Sequence, residues 1–282
     1  MPNLKNEILA AYDGNKWGYI NSRGSVLLPC EFDSATAFSD SNQAIVSKDG
    51  IFFTILANGD MYGIDDGDGE RIKEALYYSG SNFQVKRGNG YEFVDSDLNT
   101  VLSDKMNFEE ITRSSNGVLV GKKDNKWTII NLSDGSVVLD NIEDVAINSI
   151  GSVFYDSRAM VKTGGKWHLI GIDGKDVFEN TFEGAKAPES SGYIAVQNEI
   201  GKWGFVDLTG NLVIDYQYND AYSFSDDVAA VKLYNDSWVY ISKKNEKISE
   251  KEYELALPFH NGVSQAYKEG VAGLLTFKYY SE

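Results

Sequence analysis

The sequence predicts an all-β chain built from tandem repeats, and three observations carry that prediction. Two columns of hydrophobic residues recur in phase along its length. Glycines, 27 of them in 282 residues, fall at turn positions between those columns, and aromatic residues make up 13% of the chain. Aromatic-rich, glycine-punctuated sequences favour strands joined by tight turns. Self-similarity at a fixed period outranks any segment-by-segment reading of secondary structure.

The plainest anchor is Lys16-Trp17-Gly18-Tyr19-Ile20-Asn21, which returns as Lys202-Trp203-Gly204-Phe205-Val206-Asp207. Weaker copies begin at Lys126-Trp127, Lys166-Trp167 and Trp238. The full aromatic column is Trp17, Phe52, Tyr91, Trp127, Trp167, Trp203 and Trp238, ending at Ala272, with steps of 35, 39, 36, 40, 36, 35 and 34 residues. Three residues after each anchor the side chain is aliphatic: Ile20, Ile55, Val94, Ile130, Ile170, Val206, Ile241 and Leu275. A glycine follows the anchor at Gly24, Gly59, Gly174 and Gly210, and one place later at Gly135.

A second column holds Phe32, Ile72, Phe108, Ile142, Phe182, Tyr218 and Tyr253. Three residues on come Ala35, Ala75, Ile111, Val145, Ala185, Ala221 and Ala256, and three further Phe38, Tyr78, Phe224 and Phe259. Each unit therefore reads as a first strand (residues 44–48), a tight turn and the anchored strand (17–21). A turn carrying Gly24 or its equivalents, a third strand (26–28) and a compact closing turn through Phe32 and Ala35 complete it. Turn pairs such as Asp49-Gly50, Gly164-Gly165 and Asn235-Asp236 tolerate the positive φ of tight hairpins. Residues 70–78 and 250–257 look helical alone, but the register places them in closing segments, so no helix is expected there. The expected architecture is a tandem array of about 36-residue three-stranded repeats, seven full and a partial eighth, forming one domain over residues 1–282. Units this short favour an open or superhelical solenoid over a closed propeller-like ring, whose blades usually run to about 40 residues or more.

These columns resemble the WG (KWG) repeat family of bacterial proteins over nearly the whole chain. The match is best at units one and six and poorest at two, three and eight. The family tends to carry a proline after the third strand; here Pro29 holds that place and Asp215 stands there in unit six. The resemblance implies a repeat scaffold and says little about activity, because a fold does not fix a function.

With 42 acidic against 26 basic side chains, the formal charge is -16. Such a field attracts basic partners and repels phosphate backbones and anionic lipid surfaces, so neither nucleic acid nor membrane is an expected partner. The single cysteine, Cys30, excludes an intrachain disulfide and reads as a small buried hydrophobe. The N-terminal residues show no apolar secretory core and no stretch is long and apolar enough to span a bilayer, so a cytoplasmic address is expected. No nucleophile elbow, zinc-protease helix motif, phosphate-binding loop or dinucleotide fingerprint occurs.

The anchor tryptophans could stack on sugar rings, but their strict spacing reads as core. Gly18, Gly204 and Gly273 read as sites of close backbone approach rather than ligand contact. The best local suspect is an insertion in unit two, Asp65-Asp66-Gly67-Asp68-Gly69-Glu70. Asp65, Asp66, Asp68 and Glu70 are the candidate partner-binding residues, on a loop free of the repeat's constraints. Such a loop can wrap a calcium ion, although it departs from the EF-hand pattern, and a solvated loop is the plainer reading. His168 and His260 have no cysteine or histidine neighbour at metal spacing, so neither a metal site nor a cofactor is expected. The leading function is a non-catalytic scaffold for a basic protein partner, in its concrete form an immunity-type inhibitor of a cationic toxin. An alternative is carbohydrate or cell-envelope recognition through Tyr19, Tyr62, Tyr193, Tyr216, Tyr234, Tyr240 and Tyr267. A third is a hydrolase using paired carboxylates.

Overall fold

The computed structural model describes residues 8–276, apart from 22, 37, 39–41, 64–71, 78–82, 88–89, 95–99, 103–107, 249 and 261. Every regular element among the described residues is a strand. The strands form eight small sheets of three or four members, each following the last along the chain. The segments that look helical in isolation are strands, Ile72–Tyr77 and Leu255–Ala256. Contacts group the chain into two compact units. The first holds residues 1–113 with 121–124 and 132–135; the second holds 114–120, 125–131 and 136–282.

The sixth sheet shows how the sequence builds each one. Tyr193–Gln197 pairs antiparallel with the anchored strand Trp203–Asp207, which pairs with Leu212–Tyr218. Against the far side of Tyr193–Gln197 lies the two-residue strand Gly184–Ala185. This short strand belongs to the closing segment of the preceding sequence unit, read above as a compact turn. The same handover recurs with Ser34–Ala35, Glu110–Ile111, Asp144–Val145, Asp220–Ala221 and Leu255–Ala256. The column of Ala, Val and Ile three residues after Phe32 and its equivalents is therefore the added strand of the next sheet. A three-stranded sequence unit becomes a four-stranded sheet where its own third strand is complete. In the fifth and seventh sheets that third strand shrinks to isolated bridges, at Phe182 and Asp176 and at Tyr253 and Lys247.

The core lies between successive sheets, and strand alternation explains both hydrophobic columns. In the sixth sheet Ile194, Val196 and Val206 pack with Met160 and Leu169 of the fifth. Ala195, Trp203 and Phe205 face the other way, onto Ala229, Val231 and Val239 of the seventh. Val228 and Ala230 then pack with Tyr240 and Ala266. In the first unit Ala44 and Val46 join Tyr19 of the first sheet, while Ile45 joins Val85 and Val94 of the third. The anchor aromatic thus faces the following sheet and the aliphatic residue three places on faces the preceding one, because three is odd. Trp127, Trp203 and Trp238 are buried, whereas Trp17 and Trp167 are half-buried.

A second aromatic, two residues after the anchor, meets the column that closes the unit. Tyr19 lies edge-on to Phe38 at 4.8 Å between ring centres, and Phe205–Phe224 and Tyr240–Phe259 repeat the contact at 4.9 Å each. The buried hydroxyls are satisfied by carbonyls of the closing segment: Tyr19 donates to Thr36 (2.9 Å) and Tyr240 to Leu257 (3.0 Å). The lysine before the anchor is a surface staple. Lys16 pairs with Asp33, Lys166 with Glu183, and Lys202 donates to Asn219 at 2.6 Å, each partner lying 17 residues later. An exposed pair of this kind is screened by water and adds little, whereas losing a buried Phe or Trp costs about 3–5 kcal/mol. The aromatic columns decide the fold, and the lysines trim it.

The glycine after the tryptophan has a specific cause. Between the pairs Trp17–Phe32 and Tyr19–Leu28 the anchored strand advances two residues and its neighbour four. The bulged backbone arches over Gly18, where a Cβ would meet the Cys30 nitrogen and the Leu28 oxygen at 2.7 Å. Gly204 repeats this, with the Ile214 oxygen at 2.7 Å and the same two-against-four register. Beside Trp127 the advance is only two against three, from Ile142 to Leu139, and Thr128 is accommodated. At Gly273 the nearest atom to such a Cβ is the Ala266 oxygen, at 3.9 Å.

Two predictions follow from this packing. Gly18→Ala or Gly204→Ala forces backbone apart and is expected to cost about 1–3 kcal/mol, whereas Gly273→Ala changes stability by less than about 0.5 kcal/mol; urea denaturation of the three variants checks this. Burial pushes the Tyr218 phenol from 10.0 up to about 12 and raises Tyr19 and Tyr240 as well. A phenol whose folded pKa exceeds its unfolded value contributes stability that is complete below the unfolded value and lost as pH rises through the folded one. The melting temperature should therefore hold up to pH 10 and fall between pH 10 and about 12, and Tyr218→Phe should flatten part of that fall.

A candidate binding recess on a hairpin edge

Four first strands of the second unit are entered through a tight hairpin, and these hairpins line up along one edge. Ser115–Val118, Tyr155–Arg158, Ser225–Val228 and His260–Val263 form isolated bridges with two residues between. Both central residues take positive φ at Asn116 and Gly117 (53° and 77°), Asp156 and Ser157 (45° and 59°), and Asp226 and Asp227 (54° and 60°). That is the turn whose twist matches paired strands, and Asn, Asp and Gly adopt it most readily.

The residue opening each hairpin reaches the next sheet's hairpin. The hydroxyls of Ser115 and Ser152 lie 2.6 Å apart, and Tyr155 donates to the Ser190 carbonyl at 3.2 Å. Ser190 and Ser225 follow at 3.4 Å, then Ser225 and His260 Nδ1 at 3.3 Å. Backbone donors reinforce this ladder. The Asp226 and Asp227 N–H groups donate to the hydroxyls of Ser190 and Ser191, and Gly262 N–H to Asp226 Oδ2. These partners stand 35 or 36 residues apart, about one repeat period, and Ser115 and Ser152 stand 37 apart.

A recess of about 370 Å³ opens along this edge, lined by Asn148, Ser149, Ile150, Tyr155, Glu189, Ser190, Ser225, Asp226 and His260. Its walls are held from within. Asn148 Oδ1 accepts the N–H groups of Ile150 and Ser152 at 3.2 and 2.9 Å, closing the loop that carries Ser149. Glu189 accepts the Ser149 N–H and hydroxyl, both at 2.8 Å. Ile150 is exposed and Tyr155 half-buried, giving the recess apolar surface beside its polar groups. Two carboxylates line it and no lysine or arginine does. Lys243 instead pairs with Asp227 at 2.8 Å and covers the Tyr193 ring.

Ser225 beside His260 has the elements of a nucleophile and base. Ser225 is only 2% exposed, however, and its hydroxyl is shared with Ser190. Among the described residues no carboxylate orients the other ring nitrogen of His260, as an activated nucleophile requires. The pair acts as the last rung of the ladder.

Asp65, Asp66, Asp68 and Glu70 lie outside the described residues, as does the tail 277–282. Of the tyrosines considered for sugar stacking, Tyr19 and Tyr240 are excluded from that role: at 0% and 2% exposure they are core, since their rings face the following sheet. Tyr62 and Tyr234 are exposed. Cys30 is half-buried rather than buried, because it sits in the bulge opposite Gly18, with its Sγ 3.8 Å from the Ala11 carbonyl. His168 faces Asp176 at 3.2 Å. Sequence reading singled out His260 but missed the polar column Ser115, Tyr155, Ser190, Ser225 and His260. Its signal was present, a side chain of this kind followed by Asn116-Gly117, Ser191-Gly192 or Asp226-Asp227 just before each first strand.

Three segments of the chain, residues 17–50, 203–238 and 238–271, match the WG containing repeat. No curated protein matches the chain. Among solved structures it is similar to BamB from Moraxella catarrhalis, over 99% of this chain and 94% of that one, with TM-score 0.54 and 14% identity. It is also similar to a structure described as the eukaryotic initiation factor, over 92% of this chain and 78% of that one, with TM-score 0.57 and 10% identity. At these identities the likeness is one of fold, to β-propeller and β-repeat architectures.

Proposed function

We propose that this chain, which belongs to the WG-repeat family, is a non-catalytic scaffold that engages a basic protein partner along the hairpin edge of its second unit. The observation that carries this reading is the recess, in which two carboxylates and a hydroxyl ladder are fixed by hydrogen bonds and, among the described residues, no lysine or arginine lines the wall. The charge of -16 extends the same preference over the whole chain, which speeds encounter with a cationic surface and disfavours anionic ones. The aromatic columns are spent on holding sheets together, so specificity rests on the edges, where units differ from one another. A cytoplasmic inhibitor that covers the active site of a cationic toxin is the concrete form of this proposal. The acidic insertion at Asp65, Asp66, Asp68 and Glu70 would then be a second contact.

The test is capture of partners from native lysate at low ionic strength, followed by elution with rising salt. One basic protein is expected, with an affinity that weakens roughly tenfold or more between about 0.01 M and 0.15 M salt as the Debye length shrinks. Capture of no basic protein, or of one whose binding ignores salt, overturns the proposal.

A further inference from the structure

The donors and acceptors around the recess do not balance. The Ser149 hydroxyl and N–H both point to Glu189, the Tyr155 hydroxyl donates to the Ser190 carbonyl, and the Gly262 N–H donates to Asp226 Oδ2. Apart from the second ring nitrogen of His260, these donors of the wall are therefore committed inward. What remains on the wall is chiefly acceptor capacity, at Asp226 Oδ1 and in the further lone pairs of Glu189, since an ionised carboxylate offers about four acceptor positions. A ligand that fits this wall has to bring donors of its own and positive charge. A sugar hydroxyl, which both donates and accepts, would find few donors there.

Shape narrows the choice further. At about 370 Å³ the recess lies near the lower end of ligand pockets, which run from roughly 300 to 1,000 Å³. Exposed Ile150 and half-buried Tyr155 supply an apolar and an aromatic surface beside the carboxylates. A flat, weakly hydrated guanidinium with five donors suits such a wall better than a compact, strongly hydrated ammonium. The walls are also set before any ligand arrives, because the Asn148 loop and the Asp226 turn are closed by their own hydrogen bonds.

From this arrangement we infer that the recess is a receptor for a single arginine side chain of a protein partner, with Glu189 and Asp226 as its anionic clamps. The inference rests on the proposed function and names the group that the basic partner inserts. The Ser190–Ser225–His260 ladder holds the two clamps in register across consecutive sheets.

The experiment uses the full chain and three capped pentapeptides that differ only at a central arginine, lysine or citrulline, titrated by ligand-observed NMR. The arginine peptide should bind with Kd of about 1 mM or tighter, and the lysine and citrulline peptides at least tenfold more weakly. Glu189→Gln combined with Asp226→Asn should abolish the difference. Both replacements keep an acceptor oxygen for the existing backbone donors, and asparagine tolerates the positive φ at position 226, so an unchanged melting temperature is expected. Should the double variant melt early, Asp226→Asn alone is read in the same way. Equal binding of the arginine and lysine peptides, or arginine binding that survives the substitutions, overturns the receptor. If no peptide binds while a basic protein is still captured in a salt-dependent way, this inference fails and the proposed function stands. Loss of the salt-dependent partner itself is the failure of that broader reading.

Discussion

A strand covered on both faces has to be apolar at every position, and the first strand of the central sheets meets that condition. Val228, Ala229, Ala230 and Val231 are all buried, as are Ile194, Ala195 and Val196, and Ala44, Ile45 and Val46. Such a strand is only stable while sheets lie on either side of it, so within each compact unit no sheet stands alone. The rest of the architecture serves this burial. The anchor aromatics fill the space toward the following sheet, and the aliphatic column fills the space toward the preceding one. The bulge opposite Gly18 and Gly204 bends the third strand around its neighbour. The hairpins at the edge are left as the places where side chains are free of the core.

Much of this was legible in the sequence, because burial on two faces writes itself as two columns at a fixed period. The anchored strands begin at or one residue before the anchors at positions 17, 52, 91, 127, 167, 203, 238 and 272. Close approach of backbone was correctly read at Gly18 and Gly204 but not at Gly273, where the nearest atom to an added Cβ is 3.9 Å away. What the columns hid was the owner of the small residues at Ala35 and its equivalents. Alternation shows that a residue is buried, but not which sheet its backbone joins, and Ala35 pairs with Val46 of the next sheet rather than with its own. Tyr19 and Tyr240 were misjudged as available for a related reason. Lying two residues after the anchor, they share its face, and their hydroxyls find carbonyls in the closing segment rather than water.

The recess was less legible. Its carboxylates, Glu189 and Asp226, are two among 42 acids, and nothing local marks them. Ser190 and Ser225 are 35 residues apart in sequence and 3.4 Å apart in space, and only the stacking of sheets brings them together. The Asn148 loop that supplies Ser149 exists because the preceding unit is longer, with a step of 40 residues between Trp127 and Trp167. A departure from the period, rather than the period, makes the cavity.

The handover of one short strand to the next sheet also bears on how such a chain can lengthen. The stretch that repeats in sequence and the stretch that forms a sheet are offset by that strand, so the covalent joint between units is never the joint between sheets. A duplication or loss of one period, wherever its ends fall, rejoins a closing segment to a first strand of the same pattern. Every crossing is spliced by pairing as well as by peptide bond, as Asp220–Ala221 is to Val228–Lys232. The peptide joint and the sheet joint therefore reinforce each other at different places along the chain.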